Sequence, residues 1–126
     1  MQGIFELYVE TSFAAAHRLC GYPGDCARVH GHNWVVEVHV RCLALNETGM
    51  GVDFRDIKAA LDAVVSTMDH RDLNDLPAFR DANPTAENIA RHLYRELSKI
   101  IDTEAVKVSR IKVCESPGAG VYYWEE

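Results

Sequence analysis

Apolar and polar residues alternate along two stretches near the start of the chain, as they do in β-strands. Residues 4–16 are rich in β-branched and aromatic side chains and contain no breaker. In residues 30–45 every second position carries an apolar side chain: Trp34, Val36, Val38, Val40 and Cys42. A cluster of turn residues at 21–25 separates the two stretches. The pattern predicts two long antiparallel strands joined by a loop.

The apolar spacing then changes to every third and fourth position, which is typical of amphipathic helices. Asp53 and Thr85 are N-cap residues that each precede such a stretch. The first apolar stripe consists of Phe54, Ile57, Leu61, Val64, Val65 and Met68, and the second of Ile89, Leu93, Leu97, Ile100 and Ile101. We expect two consecutive helices, separated by the polar segment 69–83.

Two strand-like stretches, 106–114 and 121–124, close the chain. The alternation slips at Ser109 and Arg110, which predicts a β-bulge. The order β-β-α-α-β-β predicts an α+β fold, with both helices on one face of an antiparallel sheet. We expect residues 1–126 to form a single domain, and the open sheet edges favour a homo-oligomer.

Composition and charge limit the possible partners. The chain has 48% hydrophobic and 25% charged residues, which is ordinary for a globular protein. Its 19 acidic and 13 basic residues give a net charge of −6, which argues against a nucleic-acid or phospholipid surface. The first residues resemble no targeting signal, and no stretch is long and apolar enough to span a membrane. We therefore expect a cytoplasmic protein without membrane partners.

Four cysteines, Cys20, Cys26, Cys42 and Cys114, show no C-x-x-C spacing. In a reducing compartment they are expected to be free thiols. Cys42 and Cys114 each lie in an apolar alternating stretch, so we interpret them as small buried hydrophobic residues.

Three histidines form a candidate metal site. His30 and His32 are two positions apart on a predicted strand, so their side chains project to the same face. The hairpin pairing brings His17, at the end of the neighbouring strand, within reach of both. Three imidazoles with one open position are the ligand set of a catalytic zinc site. A chance H-x-H pair with a distant third histidine is the alternative, and we assign His39 and His92 to structure.

Other reactive groups flank these histidines, each with a plain alternative. Cys26, near a metal and a cation such as Arg28, is a candidate thiolate base or nucleophile, or else an inert loop cysteine. Asp69 and His70 are a candidate proton carrier, or else a solvated loop. Glu115 could accept two N–H groups from the planar edge of a pterin or guanine, or else be an exposed residue at a strand end.

Six motifs together resemble the 6-pyruvoyl-tetrahydropterin synthase family in order and spacing. They are FAAAHRL at 13–19, CARVHGH at 26–32, GVDF at 51–54, DHRDLN at 69–74, NPTAEN at 83–88 and CES at 114–116. The resemblance implies the tunnelling fold, in which subunits assemble through their sheet edges into trimers and then hexamers, with active sites between subunits.

The resemblance also implies roles for particular residues. The matching positions are the zinc ligands His17, His30 and His32, the catalytic Cys26, the proton-relay pair Asp69 and His70, the pterin-anchoring Glu115, and Thr85 and Glu87 in a motif lining the pterin pocket. The Zn²⁺ would bind the side-chain oxygens of the substrate, 7,8-dihydroneopterin triphosphate.

The family divides by product. The compact length and the form of the Asp-His-x-x-Leu-Asn motif resemble the branch that makes 6-carboxy-5,6,7,8-tetrahydropterin and acetaldehyde on the way to the queuosine tRNA base. A 6-pyruvoyl product, as in the biopterin branch, is an open alternative. A non-catalytic zinc- or pterin-binding protein is an alternative of a different class.

Overall fold

The computed structural model describes residues 1–126. Its elements in chain order are β1 (Phe5–His17), β2 (His30–Cys42), α1 (Phe54–Val65), β3 (Arg71–Asp72), α2 (Ala86–Ile101), β4 (Val106–Ser116) and β5 (Ala119–Tyr123). The six predicted elements occur in the predicted order. The strand β2 ends at Cys42 rather than at Leu45, because its partner β1 begins at Phe5, directly opposite Cys42.

The strands form one sheet in the order β3-β1-β2-β4-β5. The pairs β1–β2, β2–β4 and β4–β5 are antiparallel as predicted. A fifth strand, β3, was not predicted; it pairs in parallel with Ala15 and Ala16, so the sheet is mixed. This strand is only two residues long and lies in a polar segment, so no alternation of apolar and polar side chains predicted it.

The predicted bulge is present in β4. His39 pairs with Arg110, whereas the next residue of β2, Val40, pairs with Val108. Ser109 is therefore the extra residue, and the slip of the alternation at this point is explained.

Both helices pack on one face of the sheet through a core of 21 buried residues. The N-caps are as predicted: the Asp53 carboxylate accepts the N–H of Arg55 at 2.8 Å, and the Thr85 hydroxyl accepts the N–H of Asn88 at 3.1 Å. Most of each predicted stripe is buried, but Phe54 and Ile100 are exposed. These two residues lie in the first and last turns of their helices.

The other face of the sheet carries no helix but is not uniformly solvated. His39 lies there, opposite in parity to His32, and is buried, with its Nε2 2.9 Å from Glu37 Oε1. This agrees with a structural role.

All four cysteines are free thiols; Cys42 is buried as predicted, whereas Cys114 is only half-buried. The difference arises because Cys114 faces away from the helices, between residues whose side chains point towards them. Neither helix has the length and apolar character needed to cross a membrane.

Candidate metal centre and active site

The hairpin of β1 and β2 brings the three predicted histidines together. The register pairs His17 with His30 and Ala15 with His32, so all three imidazoles project from one end of the helix-covered face. The ring centroids are 4.5 Å apart for His17 and His30, 5.0 Å for His17 and His32, and 4.9 Å for His30 and His32. Adjacent strands and a two-residue spacing are sufficient to form this cluster.

Main-chain carbonyls fix the orientation of two of these rings. His17 Nδ1 lies 2.8 Å from the Pro84 carbonyl oxygen, and His30 Nδ1 lies 2.7 Å from that of Arg28. A carbonyl oxygen only accepts hydrogen bonds, so each Nδ1 carries the proton in a neutral ring. The Nε2 atom of each ring is then left with a free lone pair, which is the arrangement typical of metal-binding histidines.

Two ring nitrogens of this cluster have no hydrogen-bond partner within the protein. The Nε2 atoms of His17 and His32 are buried and make no hydrogen bond. Buried polar atoms are almost always paired, so two unpaired nitrogens side by side fit a bound cation. Burial lowers the pKa of His17, and the neighbouring His30 and His32 lower it further, although the Pro84 carbonyl opposes the shift. The neutral ring favoured in this way is the form that binds metal.

Glu115 completes the cluster. Its Oε1 lies 3.0 Å from His32 Nε2, but the direction of approach is not that of a hydrogen bond. One ligand atom from each of the three histidines and from Glu115 lies within 4.8 Å of the others. Imidazole nitrogens with a carboxylate oxygen suit Zn²⁺ and other divalent transition metals. The structure therefore places the Glu115 carboxylate beside the three histidines. It is not simply an exposed residue at a strand end.

The back of the cluster is closed by Trp34. The indole ring is fully buried and packs edge-on against His17 and His32, at centroid distances of 5.0 and 5.3 Å. Its Nε1 donates to the carbonyl oxygen of Ala15 at 3.2 Å. From the alternation, Trp34 was expected only in the core. Its parity with His30 and His32 was the available signal that it would also support the histidines.

Asp69 and His70 lie together at the edge of β1. Asp69 Oδ1 accepts the N–H of Ala14 at 3.0 Å and lies 3.0 Å from His70 Nδ1. The N–H of His70 donates to the Ala14 carbonyl at 2.6 Å. The bond from Ala14 lowers the pKa of Asp69, and the imidazole adds to the effect. A carboxylate that remains ionised is suited to orient the imidazole.

His70 is exposed and has a φ of 59°, in the left-handed region that non-glycine residues rarely adopt. It lines an open cavity of about 520 Å³, which also borders His32. Of the four residues in the cluster, only His32 lines this cavity. The unusual backbone conformation is what turns His70 out from the β1 edge, and nothing in the sequence pattern indicated it.

The other predicted residues are not part of the cluster. Cys26 lies in a single 3-10 turn between β1 and β2 and is half-buried, and its Sγ makes no hydrogen bond. The hydroxyl of Thr85 is occupied as the cap of α2, and Glu87 is exposed in the first turn of that helix. Within one chain the structure thus assembles His17, His30, His32 and Glu115, but not these three residues.

Comparison with known proteins finds relatives named as tetrahydropterin synthases. The family model described as 6-pyruvoyl tetrahydropterin synthase matches residues 6–126. A protein of Archaeoglobus fulgidus, provisionally named 6-carboxy-5,6,7,8-tetrahydropterin synthase, is 37% identical over 108 residues, covering 86% of this chain and 85% of its own length. The 6-carboxy-5,6,7,8-tetrahydropterin synthase of Synechocystis sp. is 36% identical over 115 residues, covering 87% of this chain and 88% of its own.

Among solved structures, the 6-pyruvoyl tetrahydropterin synthase of Caenorhabditis elegans superposes with a TM-score of 0.88 at 27% identity. The superposition covers 99% of this chain and 98% of that one. The fold is thus shared over the whole chain, as the six motifs predicted.

Proposed function

The chain belongs to the 6-pyruvoyl tetrahydropterin synthase family, and on that premise we propose that it is a zinc-dependent lyase acting on 7,8-dihydroneopterin triphosphate. The products are 6-carboxy-5,6,7,8-tetrahydropterin, acetaldehyde and triphosphate, and water is consumed. The observation that carries the proposal is the pair of buried, unpartnered nitrogens, His17 Nε2 and His32 Nε2, beside His30. Together with His30 they would hold the metal.

The metal ligands in this proposal are His17, His30 and His32. Zinc bound there would act as a Lewis acid that polarises the side-chain oxygens of the substrate and acidifies the adjacent C–H. The carbonyls of Pro84 and Arg28 keep both Nδ1 atoms protonated, so that each Nε2 is presented to the ion.

Proton transfer is assigned to His70 and Cys26. His70 borders the cavity, and its Nδ1 lies 3.0 Å from the ionised Asp69, which orients the imidazole for proton transfer. Cys26 supplies the second base as its thiolate. Because its Sγ is not among the groups that meet in one chain, we propose that a neighbouring subunit brings Cys26 into a shared site.

Glu115 anchors the pterin ring. A carboxylate can accept two parallel N–H bonds from the 2-amino and N3–H groups of the pterin. The side chain is 39% exposed, so it can turn from His32 towards an incoming ring. Thr85 and Glu87, at the start of α2, are proposed to line the same pocket.

The open sheet edges support the proposed assembly into a hexamer, a dimer of trimers. The short strand β3 covers β1 only at Ala15 and Ala16, so most of β1 lacks a partner on that side, and β5 is the opposite edge. Exposed Phe5 and Tyr8 on β1, and Tyr122 on β5, provide apolar surface at the two edges.

Mixing Cys26→Ala and Glu115→Ala subunits would restore activity only if the two residues serve one pocket from different chains.

The two curated relatives favour the 6-carboxy product, since both carry that name at 37% and 36% identity. We propose on this basis that the protein supplies the queuosine pathway in the cytoplasm. The C. elegans structure, named for the 6-pyruvoyl product, favours the second candidate.

Product analysis separates the candidates. Zinc-loaded protein is incubated with 7,8-dihydroneopterin triphosphate, and the pterin is identified by mass spectrometry with Cys26→Ala as the control. A 6-carboxy product with acetaldehyde, lost in the control, supports the proposal. A 6-pyruvoyl product moves the chain to the other branch, and a lack of turnover with metal bound favours a non-catalytic zinc- or pterin-binding protein.

A further inference from the structure

Two asparagine side chains hold the chain where β1 has ended. The N–H of Arg18 donates to Asn74 Oδ1 at 2.8 Å, and Asn74 Nδ2 donates back to the Arg18 carbonyl at 3.1 Å. Two residues on, the N–H of Cys20 donates to Asn83 Oδ1 at 2.8 Å, and Asn83 Nδ2 donates to the Cys20 carbonyl at 2.9 Å. Each carboxamide thus pairs with both main-chain groups of one residue, as a neighbouring strand would.

The residue between these two positions faces the opposite way. Successive main-chain groups of an extended segment alternate in direction. The N–H of Leu19 is accordingly free to donate to the carbonyl of Cys26, at 2.8 Å. The two asparagines and Cys26 therefore hold opposite sides of the same three-residue segment.

Both asparagines are themselves fixed. The N–H of Asn74 donates to Asp72 Oδ1 at 3.0 Å. The carbonyl of Asn83 accepts Asn88 Nδ2 at 2.9 Å and the N–H of Thr85 at 2.8 Å, which ties it to the start of α2. The segment after β1 is thus attached to two separate parts of the fold.

We propose that Asn74 and Asn83 are positioning residues for Cys26: by replacing the missing strand partner of residues 18–20, they fix the N–H of Leu19 that holds the Cys26 main chain. The inference rests on the proposed function for the role of the thiol, but not for the geometry. Without the two carboxamides, the main-chain groups of Arg18 and Cys20 that make these four hydrogen bonds would bond to water, because both residues are exposed.

Asn74→Ala is the principal test, because Asn83 adjoins Pro84, whose carbonyl orients His17. Alkylation by iodoacetamide at a fixed pH is measured in a Cys20→Ser background and followed at Cys26 by peptide mass spectrometry, because Cys114 is also half-buried. We expect the rate to rise about threefold or more in the variant, because the half-buried thiol is released when its main-chain anchor loosens. Hydrogen exchange of the Leu19 amide should accelerate in parallel.

Asn46→Ala is the matched control. Asn46 Oδ1 also accepts main-chain N–H groups, from Thr48 at 2.9 Å and Met50 at 3.0 Å, but in a turn between β2 and α1. It should leave both Cys26 alkylation and Leu19 exchange unchanged. Asn74→Asp is the near-isosteric variant: it keeps the acceptor for Arg18 N–H but turns a second acceptor oxygen towards the Arg18 carbonyl, so both rates are expected to rise in it as well. It also serves if Asn74→Ala does not fold.

Steady-state kinetics give the functional readout. With zinc content equal to wild type, Asn74→Ala should lower kcat about 10- to 100-fold and leave KM within about threefold, since a displaced base affects the reaction rather than binding. Equal alkylation and exchange in Asn74→Ala, Asn74→Asp and wild type would overturn the inference. If these rates change as expected while wild-type protein shows no turnover, the positioning holds and the proposed function fails.

Discussion

Glu115 Oε1 lies 3.0 Å from His32 Nε2 without the direction of a hydrogen bond. A carboxylate oxygen and a ring nitrogen at this distance favour a proton or a cation between them. The contact therefore supports the same conclusion as the buried Nε2 of His17: the space between these side chains suits a positive ion. It also gives Glu115 two available roles, as pterin anchor or as metal ligand.

Glu115→Gln distinguishes the two roles. Glutamine keeps the size of the side chain but replaces one acceptor oxygen with a donor, so a pterin anchor would be lost. We expect KM for the dihydroneopterin substrate to rise about tenfold or more, with zinc affinity changed by less than about threefold. Glu104→Gln, in an exposed loop, is the control. A fall in zinc affinity with an unchanged KM would make Glu115 a ligand instead.

His70→Asn tests the proton carrier without disturbing its backbone. Asparagine tolerates the left-handed conformation at φ 59° better than most residues, so the fold should persist. The variant cannot carry a proton at neutral pH, and we expect kcat to fall about 100-fold or more while zinc content is retained. Circular dichroism and zinc analysis accompany the kinetics, and an unchanged kcat would remove His70 from the mechanism.

Gly51→Ala should destabilise the fold because the added methyl group would collide with the Cys42 side chain. A Cβ at this position would overlap Cys42 Sγ, which is buried. We expect a loss of about 1–3 kcal/mol in the free energy of unfolding, measured by urea denaturation. Combining it with Cys42→Ala should recover part of the loss, because the overlapping sulfur is gone. Gly3→Ala, with no neighbour near the new Cβ, is the neutral control, and additive losses would contradict this account.

His92 should make stability fall in mild acid. Burial is the main cause that lowers its pKa below 6.5, and the ring packs edge-on against Phe79 at 5.5 Å. The folded chain therefore holds the neutral ring, whereas the unfolded chain gains a proton as the pH falls through about 6.5. The contribution of His92 is present above that pH and is lost as the pH falls towards its lowered pKa.

The measurement is the melting temperature of wild type and His92→Gln between about pH 7.5 and 5.5. Glutamine does not titrate, so the variant should lose less stability than wild type over this range. The same loss in both proteins would show that other groups cause the acid sensitivity.

The sequence predicted the fold well wherever side-chain periodicity carried the information. The strands, helices, caps and the bulge at Ser109 follow from local patterns and burial. The strand β3 did not, because two polar residues that pair with Ala15 and Ala16 have no periodicity of their own. The exposed Phe54 and Ile100 show that a helical stripe does not reveal where the packing partner ends.

The site was predictable to the extent that strand geometry creates it. Parity and hairpin pairing were enough to bring His17, His30 and His32 together. The main-chain carbonyls that orient the rings, and the carboxamides of Asn74 and Asn83, were not, because their roles depend on contacts between segments far apart in the chain. Both asparagines lie within quoted motifs, but nothing in the sequence showed which main-chain groups they would hold.

Metal dependence tests the central claim most directly. Protein stripped by a chelator is titrated with zinc, and turnover of 7,8-dihydroneopterin triphosphate is followed in wild type, His30→Ala and the control His92→Gln. We predict that activity returns with bound zinc up to about one ion per chain in wild type and the control. His30→Ala should bind zinc at least about 100-fold more weakly and stay inactive at stoichiometric zinc. Full turnover by metal-free protein, or by His30→Ala without bound zinc, would contradict the account.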